Sequence, residues 1–371
     1  MTDEQQGRRL RTPIAAALAL IAVVALLVVI GSAVLIDDAP PAATTTAAPA
    51  PSGAPGDARR ASAAIFKPRT PGTWPGPDGL SGVNGDPLFD TAHVQEFCTA
   101  RGRACKVAQT YTDRTTYQSM TGGTGWTFDN LKDFPGVLIV SQGLVPEGRP
   151  QDLATCAQGG FDRHWRDFGA LMVRHGRGDS VVRLGWEFNG DFMAWSARDP
   201  QTWIACYRRA ADGIRATNPA VVLDWTINAH DTAASVCGGV STNCYPGDDY
   251  VDIIGIDNYD HFPATATKAE FDRVAAEPEG LDWLFAFARA HGKPFSVGEW
   301  GVVQNADGGG DNPGFVRWMH EWFAEHAADL AYEAYFTNCE ESGIQSSLFR
   351  DDAACARNPK AAGAYRGLFA G

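Results

Sequence analysis

Apolar positions along the chain fall into two regimes. From Thr12 to Ile36 they form one uncharged run rich in Ala, Leu, Ile and Val. Further on they occur as short runs separated by stretches of helical spacing. The short runs predict strands near Gly72–Trp74 and at Lys106–Tyr111, Gly136–Ser141, Ser180–Trp186, Val221–Ile227, Val251–Ile256, Phe295–Gly298 and Tyr332–Phe336. Helical spacing marks Asp162–His175, Pro200–Thr217, Lys268–Ala290, Gly314–Ala328 and a short final helix at Pro359–Leu368. In the first of these, Trp165, Phe168, Leu171 and Met172 share one face. Asp199 ahead of Pro200 reads as an N-cap with proline in the first turn.

Eight strands, most followed by a helix, imply a parallel sheet with helices on its faces. That number of repeats fits a closed (β/α)8 TIM barrel of the α/β class better than an open sheet. The ligand motifs of open sheets are missing: there is no GxGxxG after a strand and no GxxxxGK[ST]. The stretch Gly122-Gly123-Thr124-Gly125 reads as a loop.

The long run at the N-terminus is a membrane element. A spanning helix needs about 20 apolar residues, whereas the core of a signal peptide needs about 7–15. Arg8, Arg9 and Arg11 precede the run, which places the N-terminus in the cytoplasm and the rest outside. Residues 1–36 are therefore read as a cytoplasmic N-terminus and transmembrane signal anchor. A long cleaved signal peptide is the alternative, and both export the remainder, as a single-pass membrane protein or a secreted one. Residues 37–64 are rich in Pro, Ala and Thr and lack aromatics, the composition of an extended linker. Residues 65–371 are left as one catalytic domain.

Charge and cysteine content narrow the partners. The chain has 31 basic and 44 acidic residues, a net charge of −13. Residues 1–64 balance, so the excess falls on the domain. Without a Lys/Arg run, such a domain is no nucleic-acid partner. The eight Cys (98, 105, 156, 206, 237, 244, 339 and 355) are even in number and contain no CxxC. On an exported domain they predict disulfides. The economical pairing is Cys98–Cys105, Cys237–Cys244, Cys339–Cys355 and Cys156–Cys206, one of 105 connectivities.

In such a barrel the active site lies at the C-terminal ends of the strands. Two ends carry a Glu where an apolar strand gives way to a Gly-containing loop: Val182–Gly190 (VRLGWEFNG) and Pro294–Gly301 (PFSVGEWG). Glycosidic hydrolysis needs two carboxyls flanking the bond, one to protonate the leaving oxygen and one to attack or to activate water. Either Glu alone would read as a strand-end carboxylate paired with an Arg. As a pair on strands four and seven, across the barrel mouth, they read as catalytic.

These segments resemble glycoside hydrolase family 26, β-mannanase-like members of clan A, the retaining (β/α)8 glycosidases with Glu after strands four and seven. RLGWEFNGDFMAW (Arg183–Trp195) is similar to the family's acid/base segment, and SVGEWG (Ser296–Gly301) to its nucleophile segment. VDIIGIDNY (Val251–Tyr259) resembles the sixth strand, whose Tyr hydrogen-bonds the nucleophile. By position, the resemblance implies Glu187 as acid/base, Glu299 as nucleophile and Tyr259 as its orienting partner. Family members usually carry His before the acid/base Glu; here Trp186 stands there.

Neighbouring residues fill supporting roles. Trp186 and Trp195 offer an apolar wall that disfavours the charged form of Glu187. Arg183 either holds Glu299 ionised, with the Tyr259 hydroxyl, or is a buried partner for Asp224 or Asp257. Asn189 either bonds a sugar hydroxyl or turns the chain at Asn-Gly. Trp74, Trp186, Trp195, Trp225 and Trp300 fall near strand ends and read as sugar-stacking subsites. Trp165, Trp203, Trp283, Trp318 and Trp322 read as helix packing, and Trp126 as either. Asn228 and His230 follow the fifth strand and are placed to line the cleft, although a lone His is more often structural.

Other chemistries lose support. His320-Glu321 lacks the HExxH spacing, no GxSxG is present, and Asn305–Asn312 lacks the full EF-hand pattern. No cofactor or metal is expected. The expected function is a retaining O-glycosyl hydrolase, of the mannan endo-1,4-β-mannosidase type, acting on a polysaccharide such as β-mannan or a related β-glycan. A catalytically silent carbohydrate-binding barrel and an envelope transglycosylase are the alternatives.

Overall fold

The computed structural model describes residues 65–85, 89–230, 232–340, 343–349 and 358–370. The expected spanning segment and linker lie outside the described residues, and so does Cys355. No helix among the described residues is long and apolar enough to cross a membrane.

Eight parallel strands form a closed barrel in sequence order. They are β1 (Ser81–Asn84), β2 (Val107–Tyr111), β3 (Val137–Gln142), β4 (Val181–Leu184), β5 (Val222–Asn228), β6 (Ile253–Tyr259), β7 (Phe295–Gly301) and β8 (Leu330–Phe336). β1 closes on β8 with Gly82 opposite Ala334. Around them lie α1 (Thr91–Arg101), α2 (Tyr117–Thr121), α3 (Gly125–Asn130), α4 (Asp152–Ala157), α5 (Asp162–Arg174), α6 (Pro200–Thr217), α7 (Lys268–Ala276), α8 (Leu281–Ala290), α9 (Pro313–Glu325) and α10 (Pro359–Phe369). Asp199 caps α6 as its sequence implies, accepting from the Thr202 amide at 2.7 Å.

The structure differs from the sequence reading in three respects. The first strand is Ser81–Asn84, not Gly72–Trp74. Pro71, Pro75 and Pro77 deprive that segment of the amide donors a ladder needs. The helix expected over Lys268–Ala290 is two, because Pro278 lacks an amide and Glu279 adopts φ 66° between them. α1 to α4 went unread: three of them have five or six residues, and the buried positions of α1 include Arg101.

The barrel interior has two storeys. At the bottom, Val107, Ile139, Val181, Val222 and Ile253 pack with Tyr332 and Ala334 into an apolar floor. One inward step higher, β4 and β5 present Arg183 and Asp224, both fully buried. Strand alternation sends Val182, Leu184, Leu223 and Trp225 outward into the helix layer. Three disulfides pin the periphery: Cys98–Cys105, Cys156–Cys206 and Cys237–Cys244. Cys339 is disulfide-bonded as well.

Candidate active site

Arg183 organises the upper storey. It is wholly buried, and its guanidinium donates to Glu299 Oε1 at 2.6 Å, to Ser141 Oγ at 3.0 Å and, closely, to Asp257. Arg183 thus touches Glu299 and is a buried partner of Asp257 at once. Room for it comes from Gly298, where a Cβ would lie 2.7 Å from Arg183 Nε.

Glu299 reaches the same point through an irregularity in β7. The register with β8 shifts between Val297 and Trp300. Two consecutive residues, Gly298 and Glu299, consequently face inward, while Trp300 packs outward against Phe323 and Tyr335. Glu299 Oε1 also accepts from the Tyr111 hydroxyl, and Oε2 from the Tyr259 hydroxyl, each at 2.7 Å. Asn84 in turn donates to Tyr111 at 2.9 Å.

Glu187 sits beyond β4 in a left-handed turn, with φ 61° at Gly185 and 51° at Glu187 itself. For a non-glycine residue that conformation is strained, and such strain clusters at working sites. The Glu187 amide donates to Thr226 O at 3.0 Å, and Asn228 Nδ2 donates to its carboxyl at 2.6 Å. The side chain is nearly buried. Burial, then the charge of Glu299, pushes the Glu187 pKa up to about 7, while the Asn228 hydrogen bond opposes the rise. Burial also drives the Asp257 carboxyl well above the ordinary aspartate range, with Arg183 pulling the other way.

One carboxyl oxygen from each of Glu187, Asp257 and Glu299 lies within 4.8 Å of the others. The donor set is the only one among the described residues that offers three potential metal ligands together. Its charge is met by the Arg183 guanidinium.

Residues 179–296, which contain Arg183, Glu187, Asp257 and Tyr259, match the sequence model of glycosyl hydrolase family 26. The match bears out, over that segment, the resemblance read from the sequence.

Solved structures agree in fold. An endo-β-1,4-mannanase from Cellulomonas fimi is 15% identical and superposes with a TM-score of 0.55, covering 78% of this chain and 71% of that one. The catalytic domain of a family 26 endo-β-1,4-mannanase from Bacillus sp. JAMB-750 is 17% identical, with a TM-score of 0.55 and coverage of 78% and 86%. The YdhT protein of Bacillus subtilis is 14% identical, with a TM-score of 0.55 and coverage of 78% and 87%. No curated protein matches the chain.

Within this barrel, the expected indole subsites are corrected. Trp74, Trp186, Trp195, Trp225 and Trp300 are all buried, at most 3% exposed, and have no open face for a sugar. Each has another task. Trp195 Nε1 donates to Trp186 O and Trp203 Nε1 to Trp195 O, which ties down the Glu187 loop. Trp186 is packed between Tyr111 and Trp195, with Arg114 over its ring. Trp225 packs on Phe188, Trp74 on Phe323, and Trp300 donates to Glu333. The open aromatic faces on the strand-end loops belong instead to Phe192 and Phe262.

Asn189 is likewise structural. Its amide pairs both ways with the Asn228 backbone, at 2.8 and 2.9 Å, and also meets Glu279. Glu279 is buried and accepts from the Ser241 amide and hydroxyl and from Thr232. A chain thus runs from Glu279 through Asn189 and Asn228 to Glu187. Sequence reasoning missed Tyr111, Asn84, Asp257 as a site carboxylate, and Glu279. Tyr111 ends a strand, the one signal that pointed to it.

A cavity of about 340 Å³ opens beside the Glu187 loop, lined by Glu147, Asp191, Phe192, Met193, Trp195 and Arg198. Another, of about 330 Å³, lies at the opposite pole of the barrel, among Phe66, Lys67, Arg289 and Lys293, and holds none of the carboxyls.

Proposed function

We propose that this glycoside hydrolase cleaves a β-mannan or related β-glycan with retention of configuration, with Glu187 as acid/base and Glu299 as nucleophile. The observation that carries the reading is the contrast between two neighbouring carboxyls. Glu187 is buried, with its pKa pushed up to about 7, whereas Glu299 is met by a guanidinium and two hydroxyls. A proton donor and an anionic nucleophile need such opposed settings. Their separation, within 4.8 Å between oxygens, is closer to the retaining spacing of about 5–5.5 Å than to the about 6.5–9.5 Å of an inverting enzyme.

In the first step Glu299 attacks the anomeric carbon while Glu187 gives its proton to the leaving oxygen. Esterification removes the Glu299 charge that helps raise the Glu187 pKa. The Glu187 pKa then falls, so the carboxylate left by the first proton transfer stays ionised and takes a proton from the incoming water. Arg183, Tyr111 and Tyr259 hold the nucleophile, and Asn228 aims the acid. The mannanases among the fold neighbours favour mannan as the first substrate to test. Two intact carboxyls in opposed settings speak against a silent binding barrel.

Azide separates the two roles. Glu299→Ala should abolish the first step on every substrate. Glu187→Ala loses only proton transfer, about 10²–10⁴-fold, so an aryl glycoside with a good leaving group should still load the enzyme. Azide should then release a glycosyl azide of the substrate's own configuration. An inverted azide product from Glu187→Ala refutes retention.

We infer further that the domain works outside the cell, held by its N-terminal segment. Its disulfides fit an oxidising compartment. Protease added to intact cells should remove the domain; protection until lysis refutes export.

A further inference from the structure

Beyond the carboxyls, the barrel mouth carries two imidazoles that hold no side-chain hydrogen bond among the described residues. His230 follows Asn228 by two residues, and His261 follows Tyr259 by two. Their rings meet edge to face with centroids 5.9 Å apart. His230 Nε2 and His261 Nδ1 are both buried without a partner, and no side-chain bond holds either ring among the described residues. Unpaired buried polar atoms are costly and uncommon, and two on adjoining rings call for a reason. Each residue is only half-buried, so the other ring nitrogen is left to meet a ligand.

An apolar face adjoins them. Phe262 is 57% exposed, and its ring lies 4.6 Å from that of His261. It adopts φ 49°, a strained conformation for a bulky residue. A hollow of about 80 Å³ opens there, lined by His230, Phe262, Pro263, Val274, Glu277 and Gly280. The group connects to the chemistry directly: the His261 ring lies 5.7 Å from that of Tyr259, whose hydroxyl holds Glu299. An open aromatic face with a few convergent polar atoms is what a pyranose needs, C–H face on the ring and hydroxyls on the nitrogens. Here it replaces the indoles that burial removes.

We propose that Phe262, His230 and His261 form a subsite for an uncharged pyranose unit of the glycan, beside the reacting unit. This rests on the glycoside hydrolase reading above. The subsite takes hydroxyls, not carboxylates. Burial, and for His230 the neighbouring His261, holds both imidazoles near pKa 4, so at neutral pH they carry no charge. Asp307 is the charged group that faces His261 and opposes the shift.

Binding without turnover tests the subsite. Manno-, cello- and xylohexaose are titrated by calorimetry into Glu299→Ala protein, with the imidazole resonances followed by NMR. At least one hexaose should bind and shift the His230 and His261 signals. Adding Phe262→Ala should weaken that hexaose up to about tenfold, the worth of one aromatic contact. His230→Gln with His261→Gln, which keeps amide donors, should weaken it less than the double Ala change. A hexaose that binds with unmoved imidazole signals, or with equal affinity after Phe262→Ala, overturns the proposal. So does the absence of binding by all three, or tighter binding of an oligouronate. Failure of the azide experiment would instead strike the catalytic roles, since binding to Glu299→Ala needs no reaction.

Discussion

Glu187 carries a stability cost that its protonation reveals. Unfolded, it loses its proton near the ordinary 4.5; folded, near 7. Between those values the folded chain holds more protons at this site, so the contribution of Glu187 to stability is full below pH 4.5 and is lost as pH rises through 7. The full difference is about 3 kcal/mol. Glu187→Gln, neutral throughout, should therefore unfold at a higher temperature than the parent at pH 8. The gap should close by pH 4; an equal gap at both pH values refutes the buried-acid account. At this scale the sequence was most legible where a residue type combines with a strand end, as at Glu187 and Glu299. It was least legible for Tyr111 and Asp257. A strand-end Tyr looks like any core aromatic, and nothing in the apolar alternation says that one guanidinium serves two carboxyls. Trp225 and Trp300 misled because burial follows from outward-facing register, and Trp186 and Trp195 because they pack on each other within the Glu187 loop.

Among elements, the loop between α7 and α8 reaches furthest into the chemistry. Glu279 joins the segment after β5 to Asn189, and so fixes Asn228 against Glu187. Glu279→Ala leaves the Ser241 amide, Thr232 and Asn189 short of partners and should cost about 1–3 kcal/mol in thermal or urea unfolding. It should also loosen Asn228, whose hydrogen bond lowers the Glu187 pKa. The alkaline limb of kcat/KM, where Glu187 loses its proton, should then move up in pH. A change in melting temperature with an unmoved limb would make Glu279 a loop anchor only. Most strands and long helices were readable because period and length agree, as in α6. β1 was not: four residues, Ser-Gly-Val-Asn, give no period, and the proline-rich segment before it imitates an apolar start. Glu279 was invisible because its partners lie far along the chain.

For the whole molecule, covalent staples and barrel closure set different limits. Cys156–Cys206 joins α4 to α6 across a sequence separation of 50, against 7 for each of the other two described bridges. In the chain-entropy model a loop of that length is worth about 4 kcal/mol. Replacing this pair by Ser should lower the unfolding midpoint more than replacing Cys98–Cys105; the reverse order would show that local strain or residual structure dominates. Closure acts on register. Every strand of a closed barrel is gripped by two neighbours, so none can slide to absorb a change in length. The extra residue in β7 that turns both Gly298 and Glu299 inward makes the nucleophile's position a matter of counting. A point substitution nearby alters its surroundings, whereas loss of Gly298 would restore regular alternation, with Val297 outward and Glu299 still inward, but would draw the carboxyl about 3.3 Å toward the barrel floor, out of step with Tyr111 and Tyr259. Gene-length variants of this barrel can thus keep their fold and disulfides and yet be sterile, and the reading frame of one strand is the place to look for that distinction.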